Sequence, residues 1–106
     1  MDYAVIRYRA RPERREENRS LIQRVFGELR ETAPPDVRYL VLELEDGTFL
    51  HIVATPPGAD ARSLTGTTAF KAFAAGVGER QEGPPVRLPA RVVGQWGMLR
   101  EDPDDT

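Results

Sequence analysis

Acid–base chemistry in this 106-residue chain has few side chains on which to centre. His51 is the only histidine, and so the only group whose unperturbed pKa lies near neutrality. There is no cysteine, which excludes thiol catalysis, thiolate zinc sites, iron–sulfur clusters and a disulfide scaffold. A single histidine also excludes a His-rich metal centre within one chain. His51 lies in the middle of the apolar run Phe49-Leu50-His51-Ile52. A base there could take a proton from a phenol or enol, and the resulting carbanion could reduce O2 itself, with no metal, flavin or other cofactor. The plainer role, a packed histidine hydrogen-bonded to a neighbour or to a second subunit, is the favoured one of the two.

Three other residues are candidates for binding a substrate. At about 100° per residue, Asn18 falls in the middle of the Leu21, Ile22, Val25 and Leu29 stripe, with Arg14 one turn earlier. An amide on that line could orient a bound carbonyl or phenol at the mouth between helix and sheet; the plainer alternative is a helix end emerging into water. Tyr39 and Trp96 could supply an aromatic wall or a hydrogen-bonding phenol, although such residues more often anchor cores and interfaces. Phe70 and Phe73, at i and i+3 with Val77, read as core.

The elements that must carry these residues are legible from periodicity and punctuation. Residues 2–10 alternate, with Ala4, Ile6, Tyr8 and Ala10 on one side and Tyr3, Val5, Arg7 and Arg9 on the other, which predicts a strand. Pro12 opens a helix over 12–32, favoured by Glu13, Glu16 and Glu17 at its positive end and halted before Pro34-Pro35. Val37–Leu44 and Thr48–Thr55 form a hairpin through Glu45-Asp46-Gly47-Thr48. With Asp-Gly at the two central positions of a type I′ turn, Leu44 faces Phe49, Leu42 faces His51 and Leu40 faces Val53. A loop over 56–66 leads into a second helix over 66–80, with Thr65 or Thr67 as its expected N-cap. The last strand is expected over 86–98, carrying Val86, Leu88, Ala90, Val92 and Trp96 in alternation, and Pro89 within it predicts an edge position.

The order βαββαβ is a split pair of βαβ units, an α+β ferredoxin-like fold with a four-stranded antiparallel sheet. Right-handed crossovers place the second and fourth strands at the edges. Two helices cover only one face of such a sheet, yet both faces of the hairpin read as apolar: Leu40, Leu42, Leu44, Phe49, His51 and Val53 against Tyr39, Val41, Glu43, Leu50, Ile52 and Ala54, with Glu43 the one charge. At about 25 cal/mol per Å², covering roughly 400 Å² of apolar surface is worth on the order of 10 kcal/mol before association costs. A second copy of the chain packing through this sheet face is therefore expected, with cover by the 56–66 loop and the final residues as the alternative.

At this point the chain resembles a known group. The first strand running into Arg9-Ala10-Arg11-Pro12, the hairpin with Phe49-Leu50-His51-Ile52, the Ala69-Phe70-Lys71-Ala72-Phe73 helix and the Arg91-Val92-Val93-Gly94 segment resemble the dimeric α/β-barrel superfamily, and within it the antibiotic biosynthesis monooxygenase-like group. The resemblance spans residues 3–98 and lies in element order and texture. It implies a homodimeric α/β barrel with a pocket for a small apolar or aromatic ligand. Members include cofactor-independent oxygenases of polycyclic aromatic phenols, haem-degrading enzymes and proteins of no assigned activity. The haem-degrading members use an Asn, a Trp and a His around the porphyrin. Asn18, Trp96 and His51 do not match that pattern by position, so that activity does not carry over.

Composition bounds the partners. The chain carries 15 basic and 17 acidic side chains, and four of the acids fall in Glu101-Asp102-Pro103-Asp104-Asp105-Thr106. These residues read as an acidic, disordered tail on a single domain over 1–100. The remaining body is close to neutral, and with a pI near 5.4 it has no footprint for nucleic acid. No apolar run approaches the ~20 residues of a membrane helix, and no signal peptide is evident, so a cytoplasmic protein with no membrane partner is expected. The third strand lacks the basic, base-stacking aromatics of an RNA-recognition module, and Ala10-Arg11-Pro12-Glu13 is no Gly-rich phosphate cradle.

Overall fold

The computed structural model describes residues 1–99; the expected acidic tail lies outside the described residues. Strand β1 (Asp2–Ala10) is followed by a 3-10 turn over Pro12–Arg14 and the helix α1 (Arg15–Thr32). The hairpin β2 (Arg38–Glu43) and β3 (Thr48–Thr55) comes next, then three short helices, α2 (Arg62–Thr65), α3 (Thr68–Ala75) and α4 (Val77–Arg80), and finally β4 (Gln81–Ala90). The sheet is antiparallel throughout, in the order β2-β3-β1-β4, with the helices on one face. The ferredoxin-like topology and both edge positions are as the sequence predicts. No helix among the described residues is long and apolar enough to cross a membrane.

Three local expectations are corrected. The hairpin turn is one residue longer than a type I′ turn allows. Gly47 accepts the left-handed conformation alone, at φ 92°, while Asp46 does not. Gly47 N donates to Leu44 O (3.1 Å) and Leu44 N to Thr48 O (2.8 Å), which closes a three-residue loop around Glu45-Asp46-Gly47. Asp46 takes up the orphaned Thr48 N–H through its own carboxylate at 2.9 Å. The register therefore slips by one residue, so that Val41 pairs with His51 and Tyr39 with Val53. Every β2 side chain changes face relative to β3. Tyr39, Val41 and Glu43 join Phe49, His51 and Val53 under the helices, while Leu40, Leu42, Leu50 and Ile52 share the open face.

The second correction concerns the 66–80 helix, which is broken once, at Gly76, and is preceded by a separate turn, α2, inside the expected 56–66 loop. Gly66 caps α2, and Thr67 then caps α3 by accepting from Phe70 N at 3.2 Å. Gly76 separates α3 from α4, for a reason that belongs to the site below.

The third is the last strand, which begins at Gln81 rather than Val86 and ends at Ala90 rather than near Met98. Gly83-Pro84-Pro85 forms a bulge within β4, where the register jumps from Arg9↔Glu82 to Arg7↔Val86. An edge strand tolerates prolines whose missing N–H would face solvent. Beyond Tyr3↔Ala90 only Asp2 of β1 remains as a partner, so the ladder stops and residues 91–99 leave the sheet.

The core lies between the sheet and the helices, around Tyr8, Ile22, Val25, Phe49, Leu64 and Phe73. Glu43 pins α1 to the hairpin: Arg19 Nε donates to its Oε1 at 2.7 Å and Arg15 Nε to its Oε2 at 2.7 Å. The Arg19 hydrogen bond, reinforced by Arg15, holds the Glu43 carboxyl down at about 2.

Candidate functional site

The corrected register assembles the site. His51 lies on β3 between Ile6 of β1 and Val41 of β2. Its diagonal neighbours on the same face are Tyr8, paired with Phe49, and Tyr39, paired with Val53. Diagonal neighbours on an antiparallel sheet lie within reach of aromatic side chains. The Tyr8 hydroxyl is 2.8 Å from His51 Nε2, and the Tyr39 hydroxyl is 2.5 Å from Nδ1. Both ring nitrogens are thus held by phenols.

The helices extend this pair into a chain. Asn18 of α1 is completely buried, and its Nδ2 donates to the Tyr8 hydroxyl at 2.8 Å. Arg80, the last residue of α4 and only 2% exposed, donates from Nε to Asn18 Oδ1 at 3.1 Å. It also donates to the Phe73 carbonyl, and its guanidinium lies 5.1 Å from the Phe73 ring centroid. Gly76 is the residue that makes room for it, since a Cβ there would come within 2.7 Å of Arg80 Nη1. Among the described residues no buried side-chain nitrogen or oxygen lacks a partner.

Burial sets the ionisation of the group. His51, 4% exposed, is lowered to about 4 by desolvation of its charged form, so the imidazole is neutral at pH 7. Burial pushes the Tyr8 phenol up to about 12 against the opposing Asn18 hydrogen bond. Tyr39 is raised above the usual phenol range by burial first and by Tyr8 second.

Beside this chain, between the sheet and α2–α3, is a cavity of about 230 Å³. Its floor is Ile6, Tyr8, Tyr39 and His51, and its far wall is Leu64, Phe70, Phe73 and Val77. His51 lies 5.5 Å from the Phe73 ring centre and 5.8 Å from that of Tyr39. Arg87 of β4 is the one fixed charge on the lining. A compact apolar cleft with a few convergent polar groups is the usual form of a small-molecule site. No group of three His, Cys, Asp or Glu side chains among the described residues is placed to hold a metal ion.

The structure thus brings His51, Tyr39 and Asn18 together, the first two on the cavity and Asn18 behind them. Trp96 is elsewhere: it follows β4 outside the sheet and is 95% exposed in the single chain. Arg14, one turn before Asn18, pairs with Glu17 at 2.6 Å. Two residues of the chain were not singled out from the sequence. Tyr8 had a signal, an amphipathic ring in the inward-facing set of β1. Arg80 had only its place four residues after a helix-breaking glycine.

No family profile and no curated protein matches the chain. Solved structures do match its fold. One described as an antibiotic biosynthesis monooxygenase superposes with a TM-score of 0.71 at 16% identity, covering 89% of this chain and 100% of the other. The structure of Rv0793 from Mycobacterium tuberculosis gives 0.70 at 21% identity over 90% and 98% of the two chains. A point mutant of SnoaB, a cofactor-independent oxygenase from Streptomyces nogalater, gives 0.63 at 17% identity over 91% and 96%. At these identities the likeness is one of fold.

Proposed function

We propose that the protein binds a small fused-ring aromatic molecule bearing a carbonyl or phenol in the His51–Tyr39 cavity, and oxidises it with O2 as a cofactor-independent monooxygenase. The observation that carries this reading is a neutral Tyr–His–Tyr array set into an otherwise apolar cleft. The fold shared with a cofactor-independent oxygenase supports it.

The chemistry needs no resident redox group. A hydrogen bond from Tyr39 to a ring carbonyl stabilises the enolate left when a CH2 conjugated with it through the ring system loses a proton to water. The carbanion passes one electron to O2, and the radical pair combines into a peroxide anion at that carbon, which takes the proton back from water to become a hydroperoxide. Loss of water then breaks the O–O bond, leaving a carbonyl where the CH2 stood. One oxygen atom enters the product and the other leaves as water, so O2 is the whole oxidant. His51 serves by orienting Tyr39.

The active unit in this reading is a homodimeric barrel closed through the open sheet face. Leu40, Leu42, Val86 and Leu88 are exposed there, Leu88 by 57%, which supports a second copy as their cover. Ligand carriage without turnover is the second reading. It is favoured by His51 itself, whose two nitrogens are both engaged and whose low basicity suits it poorly to proton abstraction.

Oxygen uptake with anthrone as the probe separates the two. The monooxygenase reading expects one O2 consumed per quinone formed, above the rate in buffer, and abolished in Leu64→Trp, which fills the cavity. Saturable anthrone binding with no added uptake would support carriage. Neither binding nor uptake would refute the site.

A further inference from the structure

The geometry points to a one-way hydrogen-bond chain, anchored by Arg80, that makes Tyr39 the hydrogen-bond donor the cavity offers its ligand. The inference rests on the cavity being a ligand site and specifies what that ligand must present, an acceptor oxygen.

The direction follows from what each group can do. Arg80 has only donors, so the atom of Asn18 that meets its Nε must be the amide oxygen. That fixes the amide orientation, and the NH2 end is left to donate to the Tyr8 oxygen. Tyr8 then has one hydroxyl hydrogen to place, and the only acceptor beside it is His51 Nε2. If Nε2 carried a proton instead, Tyr8 would receive two donors and its own hydrogen would be stranded in the core, at a cost of roughly 1–3 kcal/mol. His51 therefore bears its proton on Nδ1, a tautomer assigned from the network, and donates it to the Tyr39 oxygen. The Tyr39 hydrogen is the last in the sequence and has no acceptor among the described hydrogen bonds. Tyr39 is half-buried and lines the cavity, so that hydrogen is available to a ligand. Arg80 is thus a positioning residue that acts through three intervening side chains.

A single isosteric change inverts the chain. In Asn18→Asp the carboxylate accepts from Arg80 on one side and from the Tyr8 hydroxyl on the other. Tyr8 must then accept from His51, whose proton moves to Nε2. The bare Nδ1 draws the Tyr39 hydrogen inward, and the cavity is offered an oxygen lone pair in its place.

The test is nitrogen NMR of the 15N-labelled protein without ligand, joined to a titration with 1,4-naphthoquinone, which has acceptors and no donors. With one histidine in the chain the imidazole signals need no assignment. The expected result is a protonated Nδ1 in the native protein and a protonated Nε2 in Asn18→Asp. Naphthoquinone affinity should fall about 5-fold in both Asn18→Asp and Tyr39→Phe, the loss of one neutral hydrogen bond. A protonated Nε2 in the native protein overturns the inference even if the variant fails to fold. So does a folded Asn18→Asp that keeps Nδ1 protonated. The expected tautomers with no naphthoquinone binding would instead uphold the chain's direction and overturn the cavity as a ligand site.

Discussion

Mild acid should weaken this protein through His51. The imidazole is lowered from 6.5 in the open chain to about 4 in the fold. Between those values the unfolded chain binds a proton that the folded one refuses, so stability rises with pH across the window. His51 costs nothing above 6.5, and its penalty grows as pH falls toward 4. The full shift corresponds to about 3 kcal/mol, and about 2 kcal/mol of it is already lost at pH 5. The structural cause is burial, which desolvates the charged imidazolium, and its second donor also turns the Tyr8 hydroxyl hydrogen away from Nε2. Urea unfolding at pH 7.5 and pH 5, for the native protein and for His51→Gln, isolates the effect. The native protein should lose about 2 kcal/mol more than the variant over that interval. Equal losses in the two proteins would refute the reasoning, as would an NMR titration of His51 with a midpoint near 6.5.

Three further outcomes follow from the same geometry. Gly76→Ala places a methyl against Arg80 Nη1, and Asn18 and the Phe73 carbonyl hold that guanidinium so that it cannot retreat. A loss of about 1–3 kcal/mol in denaturant unfolding is expected, against under about 0.5 for Gly78→Ala, where a Cβ meets open space. Glu43, held near 2, contributes stability that is complete above about 4.5 and disappears as pH falls through 2. Because that ion pair is partly exposed, Glu43→Gln should cost no more than about 1 kcal/mol at neutral pH, less in high salt, as measured by urea unfolding. In the homodimer proposed above, Leu88→Asp on the open face should shift the sedimentation coefficient from dimer to monomer.

Much of the fold was legible because its signals are local and redundant. Pro12 and the Leu21–Leu29 stripe define α1, and Pro89 marks β4 as an edge. Thr67 needs only the apolar residues after it to be read as a cap. The hairpin register was not, because Asp-Gly serves both a two-residue type I′ loop and a three-residue loop closed by a left-handed glycine. One residue of difference there decides which face Tyr39 occupies, and so whether it meets His51 at all. The site was half legible for the same reason. His51 and Asn18 announce themselves as polar residues on apolar stripes. Arg80 does not, since an arginine at the end of a short helix ordinarily lies in solvent, and its burial depends on the space Gly76 leaves. Trp96 was misplaced because alternation in the sequence continues past the point where β1 has residues left to pair with.

Native mass spectrometry of the purified protein incubated with anthrone under anaerobic conditions tests the central claim most directly. The account predicts an ion near twice 11.9 kDa carrying up to one anthrone per chain, with the adduct lost in Leu64→Trp. A monomer that retains no anthrone would contradict both the closed barrel and the His51–Tyr39 cavity as its binding site.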